Sequence, residues 1–127
     1  MQGRRATTEE RRNLRRARNR SGLRAEWIAA LALRLRGYRI LERRVKTPVG
    51  EIDLIALRGR RLAFVEVKRR ASWEAAEAAI TATQRTRIRR AAGLWLARNA
   101  HYQSCEQAFD ILFLVGRRWP RYLPNAL

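Results

Sequence analysis

Two carboxylates and one ammonium group stand at a spacing that could hold a divalent cation. Asp53 is followed, one hairpin's length later, by Glu66 and Lys68 with Val67 between them, and Glu51 lies just before Asp53. Carboxylate oxygens are hard donors of the kind that Mg²⁺ and Mn²⁺ prefer. The chemistry therefore depends on whether the fold brings Asp53, Glu66 and Lys68 together.

The stretch Gly50–Arg70 is predicted to form the hairpin that positions these side chains. Gly59-Arg60 is predicted as a two-residue type II′ turn, because glycine suits its first position. One face of the hairpin then carries the charged residues together with four apolar ones: Ile55, Leu57, Leu62 and Phe64. The other face is apolar throughout: Ile52, Leu54, Ala56, Ala63, Val65 and Val67. A hairpin that is apolar on both faces is normally buried on both.

The register of this hairpin places like charges opposite each other. Asp53 faces Glu66, and Glu51 faces Lys68. Facing carboxylates destabilise a sheet, and buried ones are costly unless they are paired or bound to metal. A divalent cation between Asp53 and Glu66 would remove the repulsion. In the alternative interpretation Glu51 and Lys68 form an ion pair while the other two carboxylates reach solvent.

The same residues resemble a known nuclease signature. Asp53 followed by Glu66-Val67-Lys68 resembles the PD-(D/E)XK motif. The longer strings Gly50-Glu51-Ile52-Asp53-Leu54-Ile55 and Phe64-Val65-Glu66-Val67-Lys68 are similar to the YraN-like family of uncharacterised bacterial proteins, a resemblance that extends over about residues 22–127. It implies an α/β fold with a restriction-endonuclease-like core. It also implies a Mg²⁺- or Mn²⁺-dependent endonuclease that acts on DNA, with branched or structured DNA as a candidate substrate.

The resemblance also implies a role for each residue of the motif. Asp53 and Glu66 would be direct metal ligands, and Val67 would add its backbone carbonyl. Lys68 would orient the attacking water or offset charge in the transition state, and Glu51 would either support Lys68 or stabilise the turn. The alternative function is a nucleic-acid-binding or accessory protein that has the nuclease fold but does not cleave.

A first helix is predicted from Leu23 to Arg36, ended by Gly37. Its apolar stripe consists of Trp27, Ile28, Leu31, Ala32 and Leu35. Glu26 borders this stripe, and no Lys or Arg lies three or four residues away on the helix to pair with it. Glu26 is therefore a candidate further metal ligand, a role that the resemblance also supports. The alternative is an acid that the helix dipole favours in the first turn.

A second long helix is predicted from about Thr83 to Ala100, with an apolar stripe formed by Ile88, Ala91, Ala92 and Trp95. Gln84 extends the stripe towards the start of the helix and is a candidate accessory residue of the site. Basic residues that follow the hairpin or cover the rest of the helix are predicted to bind nucleic acid: Arg69, Arg70, Arg85, Arg87, Arg89 and Arg90.

The remaining segments complete a mixed sheet. Tyr38–Val45 and Gln107–Val115 are predicted strands, and Trp119–Leu127 is predicted to supply a short edge strand. Asp110, within the second of these strands, is predicted to be a hydrogen-bonded structural acid. The order helix, three strands, helix, strand predicts helices on both faces of the sheet.

The charge of the chain predicts a polyanionic partner. The net charge is +18, with 29 basic residues of which only two are Lys. Nucleic acid, in particular DNA, is favoured over an anionic membrane. Residues 1–21 are predicted to be a flexible basic arm and residues 22–127 a single domain.

The compartment is predicted from what the sequence lacks. No apolar run approaches the length of a membrane span or a signal peptide, and Cys105 is the only cysteine. These observations predict a cytoplasmic protein. The sequence leaves the oligomeric state open, a homodimer included.

Overall fold

A computed structural model describes residues 7–127, and for residues 14–23 it describes the backbone alone. The helices are α1 (Thr8–Leu35), α2 (Trp73–Ala78) and α3 (Ala82–Arg98), with a short 3₁₀ turn at Ala100–Tyr102. The strands are β1 (Arg39–Thr47), β2 (Gly50–Arg58), β3 (Arg61–Arg70), β4 (Glu106–Val115) and β5 (Arg121–Leu123). The predicted strands and the second long helix are confirmed to within a few residues, whereas α2 was not predicted.

The five strands form one mixed sheet in the order β1-β2-β3-β4-β5. The pairs β1–β2, β2–β3 and β4–β5 are antiparallel, and β3–β4 is parallel. Helices α2 and α3 form the crossover that a parallel pair requires. The predicted mixed sheet with helices on both faces is confirmed.

Each face of the sheet has its own core. Against one face α3 buries Ile88, Ala91, Ala92, Trp95 and Leu96, as its periodicity predicts. Against the other face α1 buries Ala25, Ala29, Ala30 and Leu33. The β2–β3 hairpin lies between the two layers, which explains why both of its faces are apolar.

The start of α1 corrects the sequence prediction. The helix begins at Thr8 rather than at Leu23. A capping box fixes this start: the Thr7 hydroxyl accepts from the Glu10 N–H at 3.1 Å, and the Glu10 carboxylate accepts from the Thr7 N–H at 2.8 Å. Residues 1–6 of the predicted arm lie outside the described residues, and the division of the chain into arm and domain stays a prediction.

The end of α1 is as predicted. Gly37 has φ +89°, and the N–H groups of Gly37 and Tyr38 donate to the carbonyls of Arg34 and Leu33. This is a Schellman motif, in which a left-handed residue closes the helix.

The packing face of α1 also differs from the prediction. The large apolar stripe points to solvent, with Trp27 60%, Leu31 56% and Leu35 77% exposed. The helix instead buries its alanine-rich side above Ala56 and Ala63 of the hairpin, which are themselves fully buried. Small residues on both elements let the helix and the sheet approach closely, and hydrophobic periodicity does not detect this.

Asp110 is a structural acid, as predicted. Its carboxylate is fully buried and accepts from the Arg61 guanidinium at 2.6 and 2.9 Å, from the Tyr122 hydroxyl and from the Asn125 N–H at 2.8 Å. The Tyr38 hydroxyl also accepts from Arg61, at 2.6 Å. This network joins the start of β3 to β4, β5 and the end of α1.

Within residues 7–127, none of the helices combines the length and the apolar character needed to cross a bilayer.

Candidate active site

The central hairpin has the predicted turn but not the predicted register at its open end. Arg58 pairs with Arg61, and Gly59 has φ +61°, as a type II′ turn requires. The β2–β3 ladder ends at the pair Leu54–Val65. The predicted cross-strand pairs beyond that point, Asp53 with Glu66 and Glu51 with Lys68, are therefore wrong.

A hydrogen bond to a side chain replaces the next backbone hydrogen bond of the β2–β3 ladder. The Asp53 carboxylate accepts a hydrogen bond from the Val67 N–H at 2.7 Å. Because β2 separates from β3 here, the alternation of side chains breaks: Ile52 packs with Ile55 on the α3 side although Leu54 packs on the α1 side. The prediction that Ile52 shares a face with Leu54 is therefore wrong. The prediction that Asp53 shares a face with Ile55 is wrong as well, because Asp53 lines a cleft together with Ala25 and Glu26 of α1.

Asp53 opens into a cleft of about 430 Å³ on the α1 side of the sheet. The cleft is lined by Ala25, Glu26, Arg44, Glu51, Asp53, Val67, Arg69 and Arg70. Three arginines and three carboxylates thus line the same cleft, so it offers binding groups both for a cation and for an anion.

Glu66 and Lys68 form an ion pair on β3. Lys68 Nζ lies 2.7 Å from Glu66 Oε1, and the two side chains are 5% and 21% exposed. Buried ammonium groups are rare unless they are paired. Lys68 is therefore held in place by Glu66 beside Asp53, and its burial limits its contact with bulk solvent.

Glu66 opens into a second cleft of about 320 Å³ on the α3 side. This cleft is lined by Gly50, Glu51, Glu66, Gln84, Arg87 and Ile88. The side-chain amide oxygen of Gln84, Oε1, is buried without a hydrogen-bond partner among the described residues. Glu51 lines both clefts. The predicted site residues therefore meet at the open end of the hairpin but face two sides of the sheet.

The electrostatics of Asp53 show how closely these groups are coupled. Burial raises the pKa of Asp53 from 3.8 to about 6, and the hydrogen bond from the Val67 N–H opposes this shift. The negative charges of Glu66 and Glu26 raise the pKa further, and the positive charge of Lys68 lowers it. Both neighbouring acids and the lysine thus act on the ionisation of Asp53.

This raised pKa predicts a stability gain on neutralisation. A carboxyl group with a higher pKa in the folded state stabilises the fold fully below pH 3.8 and loses that contribution as the pH rises through about 6. We expect Asp53→Asn to raise the free energy of unfolding by about 1–3 kcal/mol at neutral pH, since one pKa unit corresponds to about 1.4 kcal/mol. Thermal melting at pH about 4 and about 7.5 checks this. A difference between wild type and variant that is the same at both pH values would contradict it.

Glu26 is paired, but with a residue that sequence reasoning did not consider. Arg44 Nε on β1 donates to Glu26 Oε1. Arg44 has φ +50°, a left-handed conformation that is uncommon for a residue other than glycine. Strained backbone of this kind often occurs at functional sites. No spacing signal in the sequence connects Glu26 with Arg44, because they lie on different elements.

The predicted nucleic-acid-binding arginines are partly brought together. Arg69 and Arg70 line the Asp53 cleft, and Arg87 lines the Glu66 cleft. Arg85 and Arg90 are exposed on α3. Arg89 instead donates to the Leu127 carbonyl at 2.8 Å and lies 4.5 Å from the ring centroid of Phe109.

The donor set fits a hard cation that retains water. Among the described residues no three His, Cys, Asp or Glu side chains converge closely enough to hold a metal ion by themselves. Mg²⁺ is commonly bound by one or two carboxylates and keeps several waters. Asp53 and Glu66 supply two such carboxylates at the end of one hairpin, and Val67 lines the same cleft as Asp53. Glu66 instead faces the other cleft and is paired with Lys68, as Glu26 is paired with Arg44.

The comparison with known sequences identifies the family. Residues 25–114, which include all of the candidate site, match the sequence model of the uncharacterised protein family UPF0102. The chain belongs to this family. The resemblance to YraN-like proteins is thus confirmed.

Individual UPF0102 relatives match most of the chain. A UPF0102 protein of Parvibaculum lavamentivorans is 51% identical over 107 residues, which cover 84% of this chain and 80% of the relative. A UPF0102 protein of Methylorubrum extorquens is 53% identical over 112 residues, which cover 88% of each chain. A UPF0102 protein of a Chelativorans species is 50% identical over 106 residues, 84% of this chain and 86% of the relative.

Proposed function

We propose that this UPF0102 protein is a Mg²⁺- or Mn²⁺-dependent endonuclease that hydrolyses DNA through a PD-(D/E)XK-type site in a restriction-endonuclease-like core. The observation that carries the proposal is the coupling of Asp53, Glu66 and Lys68 at the open end of the hairpin. Burial and two neighbouring acids oppose the ionisation of Asp53, so the charged carboxylate costs stability at neutral pH although it accepts the Val67 N–H. A divalent cation would turn this unfavourable arrangement into a binding site.

The residues of the hairpin have distinct roles in this proposal. Asp53, Glu66 and the Val67 carbonyl would hold the cation, which when bound lowers the pKa of a water ligand and stabilises charge on phosphoryl oxygens. Asp53 is mostly ionised only above pH about 6, so cation binding strengthens as the pH rises through that value. Lys68, fixed by Glu66, can donate a hydrogen bond to the attacking water or to a phosphoryl oxygen.

Groups around the hairpin would bind the rest of the substrate. Arg69 and Arg70 lie at the Asp53 cleft, where they can contact the phosphates that flank the scissile bond. The buried side-chain oxygen Oε1 of Gln84 needs a hydrogen-bond donor, which an ordered water or a substrate hydroxyl would supply. Arg44 holds Glu26 at the cleft wall and also adds positive charge there.

The second candidate function is nucleic-acid binding without cleavage. This function is favoured because each acid of the site already has a hydrogen-bond or ion-pair partner within the chain. Asp53 accepts from the Val67 N–H, Glu66 pairs with Lys68, and Glu26 pairs with Arg44. In this alternative the positive charge binds DNA and the hairpin acids serve only the fold.

A cleavage assay separates the two functions. The assay compares linear, flapped, four-way and single-stranded DNA. We expect the wild-type chain to cut DNA in the presence of Mg²⁺ or Mn²⁺. Chelation of the metal by EDTA should stop the reaction. Glu66→Gln should abolish cleavage, because it removes a metal ligand and releases Lys68. Glu77→Gln, an exposed acid on α2, is the matched control and should cut normally. If wild type binds every substrate and cuts none with either metal, the binding function is correct.

A further inference from the structure

Most of the exposed large apolar side chains of the described residues lie on α1 and on the loop after β4. We call it the α1 patch: Trp27, Ile28, Leu31 and Leu35 of α1 together with Trp119. These side chains are 60%, 48%, 56%, 77% and 89% exposed, in that order. A groove of about 360 Å³ between α1 and Trp119 is lined by Ile28, Leu31 and Leu35, and the Arg43 guanidinium lies 5.0 Å from the centroid of the Trp27 ring. Monomeric proteins seldom leave so much contiguous apolar surface in water.

We propose that the α1 patch is the interface of a symmetric homodimer, in which the patch of one copy packs against the same patch of a second copy. The first argument is area. The exposed fractions of the five side chains correspond to roughly 600 Å² of apolar surface, given that an aromatic side chain presents about 150–250 Å². A specific interface buries about 600–1,000 Å² per partner. The patch therefore supplies enough surface for a dimer before any polar rim is counted.

The second argument is the spacing of the patch along α1. Trp27, Leu31 and Leu35 recur at four-residue intervals, so they form one of the ridges through which helices pack. The spacing is symmetric about Leu31. In an antiparallel pair of α1 helices with Leu31 near the two-fold axis, Trp27 of each copy lies opposite Leu35 of the other. Such an isologous contact covers the patch on both copies and is closed to further addition.

The positive charge of the chain predicts that the proposed dimer becomes stronger as the salt concentration rises. Each copy carries a net charge of +18, and Arg24, Arg34 and Arg36 are exposed beside the patch. Repulsion between two copies is long-ranged at low ionic strength and is screened at high ionic strength. Salt should therefore strengthen the dimer. An acidic apolar segment of another protein would show the opposite dependence.

Sedimentation of the nucleic-acid-free chain tests the proposal. We expect wild type to form a dimer whose affinity rises between about 0.1 and 0.5 M salt, because the Debye length falls several ångströms over that range. Leu31→Ser and Trp119→Ser should each weaken the dimer by at least about tenfold, as expected for central interface residues. Both side chains are exposed in the protomer, so thermal melting of the dissociated variants should show that the fold is retained.

The matched control is Leu94→Ser, which removes a 36% exposed leucine from α3, away from the patch. It should leave the dimer unchanged. A chain that stays monomeric at high salt would overturn the proposal and leave the patch to a different partner. A dimer that survives both Leu31→Ser and Trp119→Ser would overturn it as well, because the interface would then lie elsewhere.

Discussion

Replacing Lys68 with methionine is expected to lower kcat for DNA cleavage by about 10²–10³, the usual effect of losing one preorganised electrostatic donor. Lys68 is 4% exposed and is paired with Glu66, so it adds little to the outer basic surface. In the proposed mechanism its ammonium group acts on the reacting phosphate. The loss should therefore appear in kcat and leave the Kd for DNA almost unchanged, as for an interaction made chiefly in the transition state. Methionine keeps most of the volume of the buried side chain and removes the charge.

Single-turnover cleavage and DNA binding, measured on the same preparation, check this expectation. Lys46→Met is the matched control, because it removes the same charge from an exposed position on β1. Thermal melting shows whether Lys68→Met is folded at the assay temperature, and Lys68→Arg should recover part of the rate if positive charge is what matters. Cleavage by folded Lys68→Met at the wild-type rate would place the activity at another site.

The affinity for DNA is expected to fall by roughly 10³–10⁵ between about 50 and 200 mM salt, if six to ten phosphates are neutralised. The reason is the release of counterions from DNA by the basic surface of a chain with net charge +18. Binding titrations with duplexes of unrelated sequence at several salt concentrations measure this slope. The affinity should be nearly independent of sequence, because contacts to phosphates do not distinguish bases.

Substitutions of single arginines test which surface of the protein causes the salt dependence of DNA binding. Arg69→Gln and Arg70→Gln should each reduce the salt slope by about one, as the loss of one phosphate contact does. Arg98→Gln is the control: this arginine is exposed in the last turn of α3, far along the helix from Gln84. A salt slope near zero in wild type would refute nucleic-acid binding. An equal change of the salt slope in all three variants would show that Arg69 and Arg70 are not specific contacts to DNA.

Local patterns predicted most of the sheet. The hairpin turn at Gly59, the α3 stripe of Ile88 and Trp95, and the closure of α1 at Gly37 all follow from the preferences of a few neighbouring residues. Asp53, Glu66 and Lys68 were predicted to lie near one another because a hairpin brings its open ends together. These features need no knowledge of distant contacts.

The missed features depend on distant contacts. The face of α1 was predicted from its large apolar residues, but Ala29 and Ala30 pack against the small residues of the sheet, and only the fold places these surfaces together. The direction of Asp53 depends on its bond to the Val67 N–H, which competes with the next rung of the ladder. The Arg44–Glu26 pair depends on how β1 passes beside α1, and a register shift between Ile40 and Glu42 alters that path.

The two outer strands of the sheet protect the protein against aggregation by strand addition. β1 has an irregular register at Ile40–Glu42 and the left-handed residue Arg44, and it presents exposed charged side chains to solvent. β5 has only three residues, and Pro120 precedes it directly. Bulges, charges, prolines and short length all make an edge a poor template for another strand. The proposed dimer, which meets through a helix, therefore avoids open backbone, where contact between copies could propagate into a fibre.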